Sequence, residues 1–261
     1  MKLKIYQADA FTDVIFGGNP AAVCPLESWL ADDTMQMIAM ENNLSETAFY
    51  IRDGNCYHIR WFTPNIEVDL CGHATLATAY ILFNYENHDE SIITFKSRRS
   101  GELTVTRQAD LLTLNFPADK PDPVEITQDI SACFNLSPVF AFKGKTDYML
   151  VYNTQTEIET IIPDLSNIYK IDCRGIIITA PGDKSDFVSR FFGPQSGVDE
   201  DPVTGSAHTT LIPYWSQRLG KKHLTAVQVS ARKGYLGCKI DLDRVEISGS
   251  CRLYLKGEIF I

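Results

Sequence analysis

A stretch of this chain is written twice. Arg60, Phe62, Pro64, Val68 and Asp69 recur as Arg190, Phe192, Pro194, Val198 and Asp199, at a constant offset of 130. After a three-residue insertion the offset becomes 133, and Gly72, Ala74, Ser97, Arg99, Gly101 and Leu103 recur as Gly205, Ala207, Ser230, Arg232, Gly234 and Leu236. A register kept over more than forty residues points to two copies of one structural unit. Chemistry is expected where the copies differ.

Composition narrows the field without deciding it. A length of 261 residues suits one large or two medium domains with a core that needs no staples. The net charge of −9 argues against sequence-independent nucleic-acid binding, which depends on clustered Lys and Arg. It leaves room for a small anionic substrate, because local backbone dipoles can outweigh a global charge. Seven cysteines, an odd number with no Cys-x-x-Cys pair, suit reduced thiols better than a disulfide framework. The histidine spacings give no reason to expect zinc or another metal. No apolar leader and no membrane-length run stand out, so a cytoplasmic protein is the expectation.

Patterning predicts the same order of elements in both halves. A strand over 3–10 and the turn-rich Phe16-Gly-Gly-Asn-Pro20 precede a helix that opens at Asp33, whose side chain would cap it. Strands follow at 47–51 and 57–62, then a helix from Gly72 to Phe83 that is apolar all round and therefore buried on every side. Three short strands come next, at 92–96, 103–107 and 111–116. The second half repeats this with strands near 148–152, 175–179 and 187–192, a helix from Ser206 ending at Gly220, and strands at 227–230, 238–242 and 245–248. Pro213 is expected to kink that helix by releasing the carbonyl of Thr209. The Pro-rich run 116–123 is the natural linker, dividing the chain into units 1–117 and 118–261. A last strand near 253–260 has no counterpart in the repeat, which leaves a return to the first unit open.

Both apolar helices begin at glycine, followed by His73 in one copy and Ser206 in the other. A helix start presents unpaired N–H groups and partial positive charge, suited to a carboxylate or phosphate. One such start reads as tight packing; a related pair reads as an anion clamp. The insertion brings Asp201 near the second start. Cys71 beside Gly72 reads either as a thiol at a helix start or as an apolar filler. Glu46 lies at a helix–strand junction, and the comparable junction near Gly175 carries no glutamate.

Three motifs carry a resemblance: Asn42-Asn-Leu-Ser-Glu-Thr-Ala-Phe49, Trp61-Phe-Thr-Pro followed by Leu70-Cys-Gly-His-Ala-Thr-Leu-Ala77, and Asp199-Glu-Asp-Pro-Val-Thr-Gly-Ser-Ala-His208. They resemble the phenazine-biosynthesis PhzF-like isomerase family, over nearly the whole chain from Gln7 to Gly249. The resemblance implies an α+β, diaminopimelate epimerase-like fold. In that fold two pseudo-symmetric units each wrap a curved, mostly antiparallel sheet around a central apolar helix, with the site in the cleft. It also implies that Glu46 transfers the proton, that His73 and Asp201 support it, and that Ser45, Gly72, Gly205 and Ser206 contact the substrate and its carboxylate. The related epimerases use two opposed cysteines. Cys71 matches the first, but Pro202 or Val203 falls where the second belongs.

The resulting expectation is a cofactor-independent, metal-free isomerase, forming a homodimer and moving a proton on a small carboxylate-bearing metabolite. Two alternatives stand beside it: an amino-acid epimerase using Cys71, and a non-catalytic metabolite- or protein-binding module on the same fold.

Overall fold

The computed structural model describes residues 1–261. In chain order the elements are β1 (Lys2–Ala10), β2 (Asn19–Leu26), α1 (Asp32–Asn42), β3 (Glu46–Asp53), β4 (Cys56–Phe62), β5 (Glu67–Val68), α2 (Gly72–Tyr85), β6 (Ile92–Ser97), β7 (Gly101–Gln108) and β8 (Leu111–Pro117). Then come β9 (Asp122–Val124), α3 (Gln128–Ser131), β10 (Phe140–Lys143), β11 (Asp147–Val151), α4 (Gln155–Thr160), α5 (Leu165–Ile168), β12 (Gly175–Pro181), β13 (Phe187–Gly193), β14 (Val198–Asp201), α6 (Gly205–Leu219), β15 (His223–Gln228), β16 (Gly234–Asp241), β17 (Arg244–Gly249) and β18 (Cys251–Phe260). The chain divides into two compact units, Met1–Asn115 with Ser248–Ile261, and Phe116–Ile247.

The duplication is realised strand by strand. In the first unit β2 and β3 are parallel, β3 and β4 antiparallel, β4 and β5 antiparallel, β4 and β6 parallel, and β6 and β7 antiparallel. In the second, β11–β12, β12–β13, β13–β14, β13–β15 and β15–β16 repeat that series of directions. The repeated arginine explains part of the shared sequence. Arg60 grips both oxygens of Glu67 at 2.7 and 2.8 Å and lies over the Phe62 ring, and Arg190 grips Glu200 at 2.7 and 2.9 Å and lies over Phe192. A planar guanidinium that pairs bidentately on one side and stacks on the other has no easy substitute.

Helix α2 is buried at eleven of its fourteen residues, from Gly72 through Phe83. It packs on β1, β2, β3 and β18, all within the first unit. With no face turned to water, its threonine hydroxyls bond to carbonyls of the preceding turn. Thr75 donates to the Cys71 carbonyl at 2.6 Å, and Thr78 to the Ala74 carbonyl at 2.7 Å. Helix α1 contributes Met35, Ile38 and Ala39 to a separate cluster with Ala22, Cys24, Phe49 and Phe62. Its start differs from the expectation. Residue 31 is the cap and supplies no side-chain bond, while Asp32 is committed to Arg60 at 2.8 Å and Asp33 lies in the first turn.

In the second unit α6 runs unbroken past Pro213, and the carbonyl of Thr209 that the proline releases accepts the N–H of Asp119 at 3.0 Å. The Asp119 carboxylate also accepts from Thr210 at 3.0 Å. The Pro-rich run, read from the sequence as the linker, is therefore bonded to α6 and leads into β9, which pairs with β10. The last strand, β18, pairs antiparallel with β1 from Lys2↔Phe260 to Ala10↔Cys251. No two of the seven cysteines form a disulfide, and no helix is long and apolar enough to cross a membrane.

Candidate active site

Glu46 is the first residue of β3, entered through Asn43 in the left-handed conformation at the end of α1. His73 is the second residue of α2, and its ring is buried. The β2–β3 pairing, with Ala21 opposite Glu46, seats the start of β2 beside both. Glu46 Oε2 lies 3.2 Å from His73 Nε2, with the side chains 15 % and 3 % exposed. That is contact distance, yet the ring N–H is not aimed as an aligned hydrogen bond requires. Such geometry is common before a substrate closes the site. Burial pulls His73 down to about 3, so the ring is neutral near pH 7 and the contact is not an ion pair.

The other ring nitrogen, Nδ1, faces Asn19 Nδ2 at 3.1 Å and Cys71 Sγ at 3.5 Å. Glu46, Cys71 and His73 each offer one ligand atom, and these lie within 4.8 Å of one another, so a shared metal ion has to be weighed. The carboxylate stands beside Nε2 and the thiol beside Nδ1, on opposite edges of the ring. An ion takes only one ring nitrogen, so sharing one among all three would require the carboxylate or the thiol to turn from its present neighbour.

Register shows what the second unit has instead. Phe49 faces Arg60 across β3–β4, and Ile178 faces Arg190 across β12–β13. Counting back three residues, the counterpart of Glu46 is Gly175. A Cβ at Gly175 would overlap the Phe191 ring and the Phe192 carbonyl, so no carboxylate side chain fits there. The preceding residue, Arg174, donates to Asp147 Oδ1 at 2.8 Å, makes a second bond to Oδ2, and donates to Ser206 Oγ at 2.8 Å. Asp147 is buried at 2 % exposure, in the position that Ala21 holds in the first unit. One unit thus carries a carboxylate beside a neutral imidazole, and the other a guanidinium on a serine at the start of its helix.

Gly205 is buried at the start of α6, and Ser206 is half-buried. Asp201 is 9 % exposed and accepts Thr204 Oγ1 at 2.5 Å. Gln228 ties this corner together, accepting the Thr204 N–H at 2.8 Å and donating to the Asp201 carbonyl at 2.7 Å. Thr204 caps α6 as Cys71 caps α2. The counterpart of Cys71 is therefore Thr204, not Pro202 or Val203, and it is likewise no thiol. Ser45 is half-buried just before β3.

Asn19, Asp147, Arg174 and Gln228 went unseen in the sequence. For Asn19 a signal exists in Gly17-Gly18. Gly18 has φ +60°, and a Cβ on it would overlap the Ala10 carbonyl, so the turn that delivers Asn19 requires glycine there.

The fold is shared with proteins of remote sequence. A hydroxyproline epimerase from Agrobacterium vitis superposes with a TM-score of 0.64 at 7 % identity, over 99 % of this chain and 92 % of that one. The architecture is the diaminopimelate epimerase-like fold. The family model described as phenazine biosynthesis-like protein (PhzC-PhzF) matches residues 8–257. A PhzF-family protein of Enterococcus faecalis has a TM-score of 0.96 at 46 % identity, covering 100 % of both chains. An uncharacterized isomerase of Pseudomonas aeruginosa is 49 % identical over 100 % of both. Fold and relatives define an isomerase of the epimerase-like class. The chain belongs to the phenazine biosynthesis-like PhzF family.

Proposed function

We propose that this isomerase moves a proton within a small carboxylate-bearing metabolite, with Glu46 as the group that carries it and without a cofactor. The observation that supports this is the Glu46–His73 contact at the buried start of α2, set against Gly175 at the matching position. In the proposed step the Glu46 carboxylate takes a proton from carbon, and the C–H electron pair enters the substrate's π-system and spreads toward its carboxylate. The carboxyl proton of Glu46 exchanges with solvent between the two transfers, and Glu46 then delivers a proton to another carbon of the system, so atoms and charge balance without oxidation or reduction and solvent hydrogen enters the product. A general base supplies roughly 100- to 10,000-fold, and hydrogen-bond donors aimed at the developing anion supply much of the rest.

In this reading Gly72, Gly205 and Ser206 hold the substrate carboxylate with helix-start N–H groups and a hydroxyl, and Ser45 borders the substrate beside Glu46. His73 and Asp201 tune the proton transfer. A homodimer belongs to the same reading by family likeness and by the prevalence of twofold oligomers.

The test works whichever metabolite is the substrate. A metabolite extract is incubated in heavy water with wild type and with Glu46→Gln, and mass spectrometry finds carboxylates that gain deuterium. Labelling by wild type alone supports the proposal, whereas equal labelling by Glu46→Gln removes Glu46 from the mechanism.

A further inference from the structure

We propose that Asn19 is the positioning residue that fixes the tautomer of His73, holding its single proton on Nε2, toward Glu46. This deepens the proposed proton transfer and rests on that reading for its consequence, though not for its geometry. Asn19 is fully buried at the first position of β2, and its amide nitrogen stands 3.1 Å from His73 Nδ1. An amide nitrogen only donates, so Nδ1 must accept with its lone pair. The Cys71 thiol, 3.5 Å from the same nitrogen, can donate there as well and acts in the same sense. A neutral ring with Nδ1 unprotonated carries its hydrogen on Nε2, the atom 3.2 Å from Glu46 Oε2.

The tautomer decides whether Glu46 can be a base. With the hydrogen on Nε2, no ring lone pair faces the nearby carboxylate oxygen, which is left able to accept a substrate proton. With the hydrogen on Nδ1, the Nε2 lone pair would face the carboxylate oxygen. Glu46 would then have to bind a proton itself or turn away. His208 in the second unit provides a contrast. There Nδ1 donates to the Thr204 carbonyl at 2.8 Å, so the proton is on Nδ1, and Nε2, buried and without a hydrogen-bond partner, carries the lone pair. The two helices therefore hold their histidines in opposite tautomers, each set by the partner of Nδ1.

The experiment is long-range proton–nitrogen NMR on protein labelled with 15N-histidine, recorded near pH 7 for wild type, Glu46→Gln, Asn19→Ala and Asn19→Asp. His73 is assigned by its loss in His73→Gln. Wild type and Glu46→Gln are expected to show Nε2–H with a bare Nδ1, because Asn19 sets the tautomer whether or not residue 46 is a base. Asn19→Asp replaces the donor with an acceptor and should place a proton on Nδ1. Its deuterium labelling of the extract should fall about 10- to 100-fold, the loss seen when the partner that orients a metal-bound histidine is removed. Asn19→Ala should leave a mixed tautomer and an intermediate loss. An Nδ1–H signal in wild type overturns the proposal even if no variant folds, as does an unchanged tautomer in Asn19→Asp. If the tautomers behave as stated but Glu46→Gln still labels substrate, the Asn19 assignment holds and the proton-transfer reading fails.

Discussion

Glu46 and Gly175 occupy the same place in the two units, three residues before the rung where Phe49 faces Arg60 and Ile178 faces Arg190. Duplication has given the chain two helix starts but only one carboxylate at this position. The aromatic Phe191 fills the volume a second one would need. Under the proposal that Glu46 is the single carbon base, the same group has to hand a proton back, which favours moving it along a π-system over inverting one centre between two opposed bases.

That packing gives a stability prediction. Gly175→Ala should destabilise the protein by about 1–3 kcal/mol, the usual cost of forcing added volume into a close-packed region. Urea denaturation reads this directly. A change below about 0.5 kcal/mol, the level of an ordinary surface substitution, would mean that the Phe191 ring moves aside and that the site is not closed to larger residues.

A second prediction concerns acid. Burial lowers His73 to about 3 and His208 to about 4, against about 6.5 in an unfolded chain. The unfolded state therefore binds these protons first. The stability that depends on keeping both rings neutral is complete above about pH 6.5 and drains away as pH falls toward about 4, then 3. Each histidine adds up to about 1.4 kcal/mol of loss per pH unit within that window. Denaturation at intervals from pH 7.5 to 5 should show this decline, and His208→Asn should reduce its slope by about half. A stability flat from pH 7 to 5 would contradict the burial of neutral imidazoles.

Much of the fold is legible in the sequence because its constraints are local and repeated. The Arg–Glu grip and the Arg–Phe stack demand the same residues in both copies, so Arg60 and Arg190 mark the register. The unbroken apolar run of α2 announces its burial. Strand β2 was hidden because Pro20 and Pro25 argue against a strand. It lies between β1 and β3 all the same, with Pro25 beyond the last β1–β2 pair at Tyr6↔Val23. The short helices of the second unit were passed over, although Thr154 and Glu157 form a capping box whose spacing is readable.

The site divides the same way. Glu46, His73 and Asp201 stand in motifs long enough to resemble a family. Asn19 and Arg174 act through side-chain contacts that span 54 and 32 residues, and no local pattern encodes such meetings.

The central claim is that a carboxylate, not a thiol, carries the proton. It is tested most directly by deuterium incorporation into a turned-over metabolite in heavy water, compared for wild type, Glu46→Gln and Cys71→Ser. Glu46→Gln nearly preserves shape and removes the base, so incorporation should fall by about 100-fold or more. Cys71→Ser keeps a small donor beside His73 Nδ1 and should retain most of the wild-type rate, with no sensitivity to thiol alkylation. An inactive Cys71→Ser beside an active Glu46→Gln would contradict the account and point to a thiol-based epimerase.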